Sequence, residues 1–205
     1  LASVDAVNGR AREAQQYWLQ RLHSGQAPQW EQQWLTLQLA ESGQRLGDVQ
    51  QAQRWFAQAV SASSDSYDKA AYADFLLEQG KSAEVIQLLS DDTRADPLLL
   101  RLAQALQQSG DARAAAYIQQ LAARFDATRQ RGDLSHLREE ARFQLLLLKQ
   151  PQRALQLAEQ NWQQQKEPAD ALILLQSALA AKQPARAAAL KQWLLQQRLQ
   201  DVRIN

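Results

Sequence analysis

Three glycines mark turns at regular intervals in a chain whose apolar residues otherwise recur at helical spacing. Gly47, Gly80 and Gly110 each lie between two amphipathic stretches, and they are 33 and 30 residues apart. Two helices of that combined length cannot bury their apolar faces alone, so such units have to stack on one another. The sequence therefore predicts an array of helical hairpins.

The later part of the chain keeps this interval but replaces the glycine. Lys149-Gln150-Pro151 and Lys182-Gln183-Pro184 separate two further helix pairs, and the two lysines are 33 residues apart. Proline is tolerated in the first turn of a helix and disfavours helical geometry at the residue before it, so it can end one helix and begin the next. We predict that proline replaces glycine at these turns. The 39 residues from Gly110 to Lys149 predict an insertion, at Thr128–Asp133.

Composition supports helix throughout the chain. Only 7 of the 205 residues are Gly and 5 are Pro, whereas the good helix formers Ala, Leu, Gln, Arg and Glu dominate. The predicted helices include Asp5–Leu22, Gln29–Ser42, a third ending near Ala62, Leu134–Leu148, Gln152–Gln165, Ala169–Ala181 and Ala185–Arg198.

Charge and apolar content restrict the classes of partner. The chain has 23 basic and 22 acidic residues, a formal net charge of +1, and therefore no excess charge that would attract nucleic acid or anionic lipid. No apolar stretch approaches the roughly 20 residues of a membrane-spanning helix. Cysteine is absent, which excludes disulfides and thiolate sites. We expect neither a nucleic-acid partner nor a membrane span.

The repeats resemble the tetratricopeptide family. The residues that carry the resemblance are Leu39-Ala40, Leu46-Gly47-Asp48, Ala52, Phe56 and Ala59 in one unit, Tyr72, Ala73, Leu76, Gly80 and Pro97 in the next, and Ala154 and Ala187 later. The resemblance implies an all-α fold, a right-handed α-α superhelix of about five helical hairpins. Residues 1–205 would form one domain, with a capping helix in 1–29, repeats over 30–198 and a tail at 199–205.

The resemblance also implies a partner-binding groove, which in this family is lined by the first helix of each pair. Carried over by repeat alignment, the groove would present Trp34, Leu37, Glu41, Gln44, Arg45, Tyr67, Asp74, Leu77, Glu78, Gln104, Gln107 and Gln108. Family members that grip a C-terminal carboxylate use Lys and Asn in such places, where this chain has Leu37, Glu41, Ala70 and Asp74. The resemblance therefore predicts a scaffold that binds a protein or extended peptide by another chemistry.

No residue constellation indicates catalysis. His23 and His136 lie far apart without further ligands at metal-binding spacing, and there is no phosphate-binding glycine loop or nucleophile motif. Glu139-Glu140 reads as an acidic pair on a solvated helix face. We expect no enzyme activity, no metal and no cofactor.

Most of the six tryptophans are predicted to wedge between helices in the core. Trp30 and Trp34, four residues apart on one helix, are the exception, because they would form an exposed aromatic anchor.

One other function stays open, and a second is disfavoured. The chain could be a non-catalytic accessory region of a larger exported enzyme or assembly complex, and RNA binding would need a basic groove in place of Glu41, Asp74 and Glu78. The chain begins at Leu1 and contains no Met, which fits a removed export signal or a truncation. The stretch from Asn161-Trp162 to Asp170 resembles exported bacterial tetratricopeptide proteins. We therefore expect a periplasmic location, with the cytoplasm as the alternative.

Overall fold

The computed structural model describes residues 9–204, and the all-α prediction is confirmed for them. These residues form eleven α-helices and one π-helical turn, and no strand occurs among them. The helices are α1 Ala11–His23, α2 Gln29–Leu46, α3 Val49–Ala62, α4 Ser66–Glu78, α5 Ser82–Leu89, α6 Asp96–Gln108, α7 Arg113–Gln130, α8 Leu137–Arg142, α9 Pro151–Gln164, α10 Pro168–Ala180 and α11 Pro184–Gln196. The π-helical turn, Phe143–Leu147, follows α8 directly.

Five turns share one backbone geometry. Gly47, Gly80 and Gly110 have φ between 70° and 79°, and Lys149 and Lys182 adopt the same left-handed conformation with φ of 56° and 55°. The prediction that proline replaces the turn glycine is therefore only half right. Pro151 and Pro184 begin α9 and α11, but the left-handed position itself is filled by lysine.

The same backbone hydrogen bonds close most of these turns. The residue after the left-handed one donates its N–H to a carbonyl five positions earlier, as in Asp48 to Gly43, Lys81 to Leu76 and Gln183 to Ala178, each at 2.9 Å. This is the Schellman pattern of helix ends. At the fourth turn the N–H of Gln150 bonds instead to the carbonyl of Gln144, because the π-helical turn adds one residue.

Several helix limits differ from the predicted ones. The second helix continues to Leu46, and residues 5–8 of the predicted first helix lie outside the described residues. Thr128 belongs to α7, which ends only at Gln130, so the predicted insertion is a loop at residues 131–136. The helix predicted from Leu134 begins at Leu137.

The described residues divide into two compact units, one containing residues 9–75 and 191–204 and the other residues 76–190. The boundaries fall inside α4 and α11. The single-domain prediction stays a prediction.

In the first unit, α2 packs against both α1 and α3. The α1–α2 contact buries Ala14, Trp18, Ala27, Leu35 and Leu39 in one cluster. The α2–α3 contact is close: a Cβ added to Gly43 would lie 3.3 Å from the backbone of Ala52.

In the second unit, α6 packs against α5 and α7, and α9 packs against α8 and α10. Its main buried cluster joins α6, α7 and the π-helical turn through Leu99, Leu100, Ala103, Leu121, Phe125, Phe143 and Leu147. The rings of Phe125 and Phe143 are 5.2 Å apart between centroids.

Candidate partner-binding surface

The residues predicted for the groove fall into both units. The first unit holds Trp34, Leu37, Glu41, Gln44, Arg45, Tyr67 and Asp74, and the second holds Leu77, Glu78, Gln104, Gln107 and Gln108.

In the first unit, one side of α2 changes from open to buried along its length. Trp30 is 70% exposed and Trp34 is 41% exposed, whereas Leu37 and Arg45 are each only 7% exposed. The N-terminal half of α2 thus offers a large apolar surface to a partner, but the side chains of Leu37 and Arg45 offer very little. We call Trp30 and Trp34 together the aromatic strip.

Contacts between α1 and α2 brace the aromatic strip. Trp34 packs edge-on against the fully buried Trp18 of α1, with ring centroids 6.2 Å apart. One turn away, Arg21 of α1 forms a bidentate ion pair with Glu31 of α2, both bonds being 2.7 Å long. The hydrogen bond to Glu31 raises the pKa of Arg21, and the same bond lowers the pKa of Glu31. The prediction of an exposed aromatic pair at Trp30 and Trp34 is confirmed.

The exposed aromatic residues are concentrated in this unit. Among the described residues, the aromatic side chains classed as exposed are Tyr17, Trp30, Trp34 and Tyr67, and all four belong to it. Tyr67 at the start of α4 donates its hydroxyl to Glu41 at 2.9 Å, so two of the predicted groove residues are in direct contact. Trp18 is a core wedge as predicted, while Trp55, Trp162 and Trp193 are half-buried.

The C-terminal end of α2 is contacted by the chain itself. Residues Leu199–Ile204, here called the C-terminal segment, run past the end of α2, where the N–H of Val202 donates to the carbonyl of Arg45 at 2.9 Å. Burial lowers the pKa of Arg45, and the charges of Glu41 and Asp201 oppose that effect. No sequence pattern pointed to this contact.

In the second unit, two of the three predicted glutamines are already engaged by the chain. Gln107 donates its side-chain amide to the carbonyl of Leu147 at 3.4 Å, and Gln108 accepts from the hydroxyl of Ser82 at 2.7 Å. Gln104 is half-buried, and its side-chain carbonyl has no hydrogen-bond partner. These residues offer fewer free groups than their polarity suggested.

A chain of ion pairs links three helix starts in the second unit. Arg101 of α6 pairs with Glu139 of α8, and the neighbouring Arg138 reaches Glu167 and Asp170 at the start of α10, at 2.7 and 3.2 Å. Asp170 also accepts from the amide of Asn161 at 2.8 Å. Burial disfavours the charged form of Arg138 and by itself would lower its pKa. The bond to Glu167 and the nearby carboxylates outweigh that effect, so the pKa of Arg138 is raised.

The expectation that Glu139 and Glu140 lie on a solvated face is wrong. Glu140 is 4% exposed and pairs with Arg129, and the side chain of Glu139 is 13% exposed. Both carboxylates are buried because arginines from α6 and α7 neutralise them. The sequence offered only a weak signal, since these arginines are 38 and 11 residues away.

Within residues 9–204, no group of three or more His, Asp or Glu side chains is placed to hold a metal ion. His23 and His136 are both exposed. No helix among these residues is both long and apolar enough to cross a membrane.

No protein-family model, curated protein or solved structure matches the chain. The case for a function therefore depends on the surfaces described above, of which the aromatic strip has the largest exposed apolar side chain.

Proposed function

We propose that this protein is a non-catalytic interaction scaffold that binds a protein or an extended peptide. The aromatic strip carries the proposal. Large apolar side chains are normally buried, and Trp is enriched among the few residues that dominate binding energy in interfaces. A 70% exposed Trp30 beside a 41% exposed Trp34 is an arrangement that a partner would cover.

The contacts that brace the hairpin of α1 and α2 support the same function. A side chain that is already held in place loses little conformational freedom on binding, so more of the contact energy contributes to affinity. Trp34 is held by Trp18, and the Arg21–Glu31 ion pair joins the two helices beside it.

The tetratricopeptide assignment and the right-handed superhelix are part of the proposal. The five left-handed turn residues and their spacing support them. Within the first unit, Glu41 and Tyr67 would lie on the polar margin of the bound partner. The contributions of Gln44, Asp74, Leu77, Glu78, Gln104, Gln107 and Gln108 stay predictions.

A binding measurement with one substitution tests the proposal. The purified chain is used to capture proteins from its own source, each captured protein is then purified, and its dissociation constant is measured directly. We expect Trp30→Ala to weaken binding at least about tenfold, because an interface tryptophan commonly contributes that much. Circular dichroism should show unchanged helicity.

Leu195→Ala is the matched control, because Leu195 is also 70% exposed and belongs to the same unit. It should leave the dissociation constant unchanged. Equal affinities for wild type and Trp30→Ala would show that the aromatic strip is not the binding surface.

A further inference from the structure

The C-terminal segment binds the first unit through groups that helix ends leave unpaired. Gln200 accepts, through its side-chain oxygen, the N–H of Ala11 at 3.2 Å, at the start of α1. Val202 donates its N–H to the carbonyl of Arg45 in the last turn of α2. The first N–H groups and last carbonyls of a helix have no partner within that helix. The segment thus forms hydrogen bonds with these unpaired groups in the way that a bound peptide would.

Side chains of the C-terminal segment add an apolar and a charged contact. Ile204 is 3% exposed and Asp201 is 1% exposed. The carboxylate of Asp201 is held by Arg203 at 2.8 and 2.6 Å, and its charge acts on Arg45. The surface that receives the segment, defined by Gly9, Ala11, Arg45 and Gly47, is here called the docking site.

Two glycines shape the docking site. A Cβ on Gly9 would lie 3.0 Å from the Cβ of Arg198, and a Cβ on Gly47 would lie 3.5 Å from a methyl group of Val202. The contact at Gly9 is tighter than ordinary contacts of a Cβ, and Gly9 has a left-handed φ of 87°, so a side chain there would be strained and would push against Arg198.

The residue before the segment is held in an unfavourable conformation. Arg198 has φ of 57°, and it ends α11 through bonds from its own N–H to Leu195 and from Leu199 to Leu194, at 3.0 and 3.1 Å. Left-handed geometry is disfavoured for residues with a side chain. If Arg198 took ordinary helical geometry, α11 would continue and the segment would leave the docking site.

We propose that the docking site also binds the C-terminal segment of a second copy of this chain, exchanged between copies when Arg198 relaxes. Exchange of an identical element keeps the contacts that residues 199–204 make, and a short connection under strain favours it. When the segment occupies the docking site of its own chain, it competes with the segments of other copies at an effective concentration on the order of millimolar. Exchange therefore stays rare at low protein concentration.

Two variants test the exchange, one that impairs the segment and one that impairs the docking site. Ile204→Ser impairs the segment but leaves the docking site intact. Gly9→Val disturbs the docking site, because its side chain would push against Arg198, from which the segment starts, but it leaves the sequence of the segment intact. We expect each variant alone to sediment as a monomer in analytical ultracentrifugation and the equimolar mixture to form a dimer.

Gly25→Val is the matched control for Gly9→Val. Gly25 is also left-handed, with φ of 67°, but nothing lies within 4 Å of its added Cβ. At protein concentrations well below about 1 mM, its mixture with Ile204→Ser should stay monomeric, because the segment of the control then stays on its own docking site. A mixture of Ile204→Ser and Gly9→Val that stays monomeric at about 1 mM, the effective concentration of the closed segment, overturns the proposal.

A synthetic peptide spanning Gln197–Asn205 tests the docking site directly. It should bind the Ile204→Ser chain at least about tenfold more tightly than wild type, because the impaired segment competes less. A peptide that carries Ile204→Ser should not bind. Failure of the unmodified peptide to bind also overturns the proposal. The proposal is likewise overturned if the peptide binds but the mixture of Ile204→Ser and Gly9→Val forms no dimer.

The test stands even if Ile204→Ser fails to fold. Val202→Pro then takes its place, since it removes the N–H that bonds to Arg45 at a side chain that is 56% exposed. If both variants lose helicity, the segment is inseparable from the fold and exchange is excluded. The docking site shares no residue with Trp30 and Trp34, so either proposal can fail without the other.

Discussion

At the residue scale, Lys149 and Lys182 occupy a backbone conformation that glycine fills elsewhere in the chain. Their φ values match those of Gly47, Gly80 and Gly110 within about 25°. A left-handed L-residue costs roughly 1–2 kcal/mol, and glycine avoids that cost but loses more conformational entropy on folding. The two effects oppose each other, and the backbone strain is the larger.

Lys149→Gly should therefore stabilise the protein by about 0.5–1 kcal/mol. Lys182→Gly should act in the same direction, because its geometry is the same. The measurement is the midpoint of urea unfolding, compared between chains whose free energy of unfolding falls with urea concentration at the same slope. Gly80→Ala is the reverse control: an added Cβ meets nothing within 4 Å, so only the backbone conformation changes, and stability should fall by about 1 kcal/mol. A loss of stability in Lys149→Gly would contradict this account.

The sequence predicted the place of these turns but not how each one is made. Regular spacing and nearby prolines were enough to locate Lys149 and Lys182, since such signals depend on neighbouring residues only. Proline was given the role that lysine has, because a lysine with positive φ leaves no pattern in the sequence. The close crossing at Gly43 was missed for a similar reason: it depends on which helix lies opposite, at Ala52.

At the scale of helices, the ion pairs in the second unit join elements far apart in sequence. Arg101 in α6 and Glu139 in α8 are 38 residues apart, and their side chains are 5% and 13% exposed. Taking a charge out of water is costly, and here a partner of opposite sign offsets that cost. The pair specifies which helix starts meet.

Removing one partner should be much worse than removing both. Arg101→Met alone leaves Glu139 buried without its main counter-charge and should cost about 3–5 kcal/mol, as should Glu139→Leu alone. The double variant should cost clearly less than either single variant, because no charge of the pair then stays buried. Urea unfolding of the four chains in a double-mutant cycle measures this.

The exposed pair of Arg186 and Glu159 provides the comparison. Their side chains are 52% and 37% exposed, so Arg186→Ala should cost no more than about 1 kcal/mol. Additive effects at Arg101 and Glu139 would show that the buried pair is not coupled.

At the scale of the whole molecule, the two ends of the described chain meet in the first unit. The bond between Ala11 and Gln200 spans 189 residues. Helical periodicity predicts elements, and the tetratricopeptide resemblance predicts contacts between neighbours, but neither carries information about a pairing of this separation. For that reason residues 199–205 were expected to be a tail, and the burial of Asp201 and Ile204 was not foreseen. The exposed Trp30 was foreseen, because its place on α2 follows from helical spacing alone.

Loss of this long-range contact should be visible at the opposite end of the chain. Ile204→Ala removes a side chain that is 3% exposed, and it should destabilise the first unit by about 2 kcal/mol, the low end of the range for a buried aliphatic side chain. The amide of Ala11 should then exchange with solvent faster, because its acceptor on Gln200 is carried by the loosened segment. Hydrogen exchange followed at that amide measures the effect. Leu195→Ala, at a side chain that is 70% exposed, should leave the rate unchanged. If Ala11 exchanges at the same rate in Ile204→Ala and in wild type, the segment does not hold the start of α1, and the burial of Ile204 acts only locally.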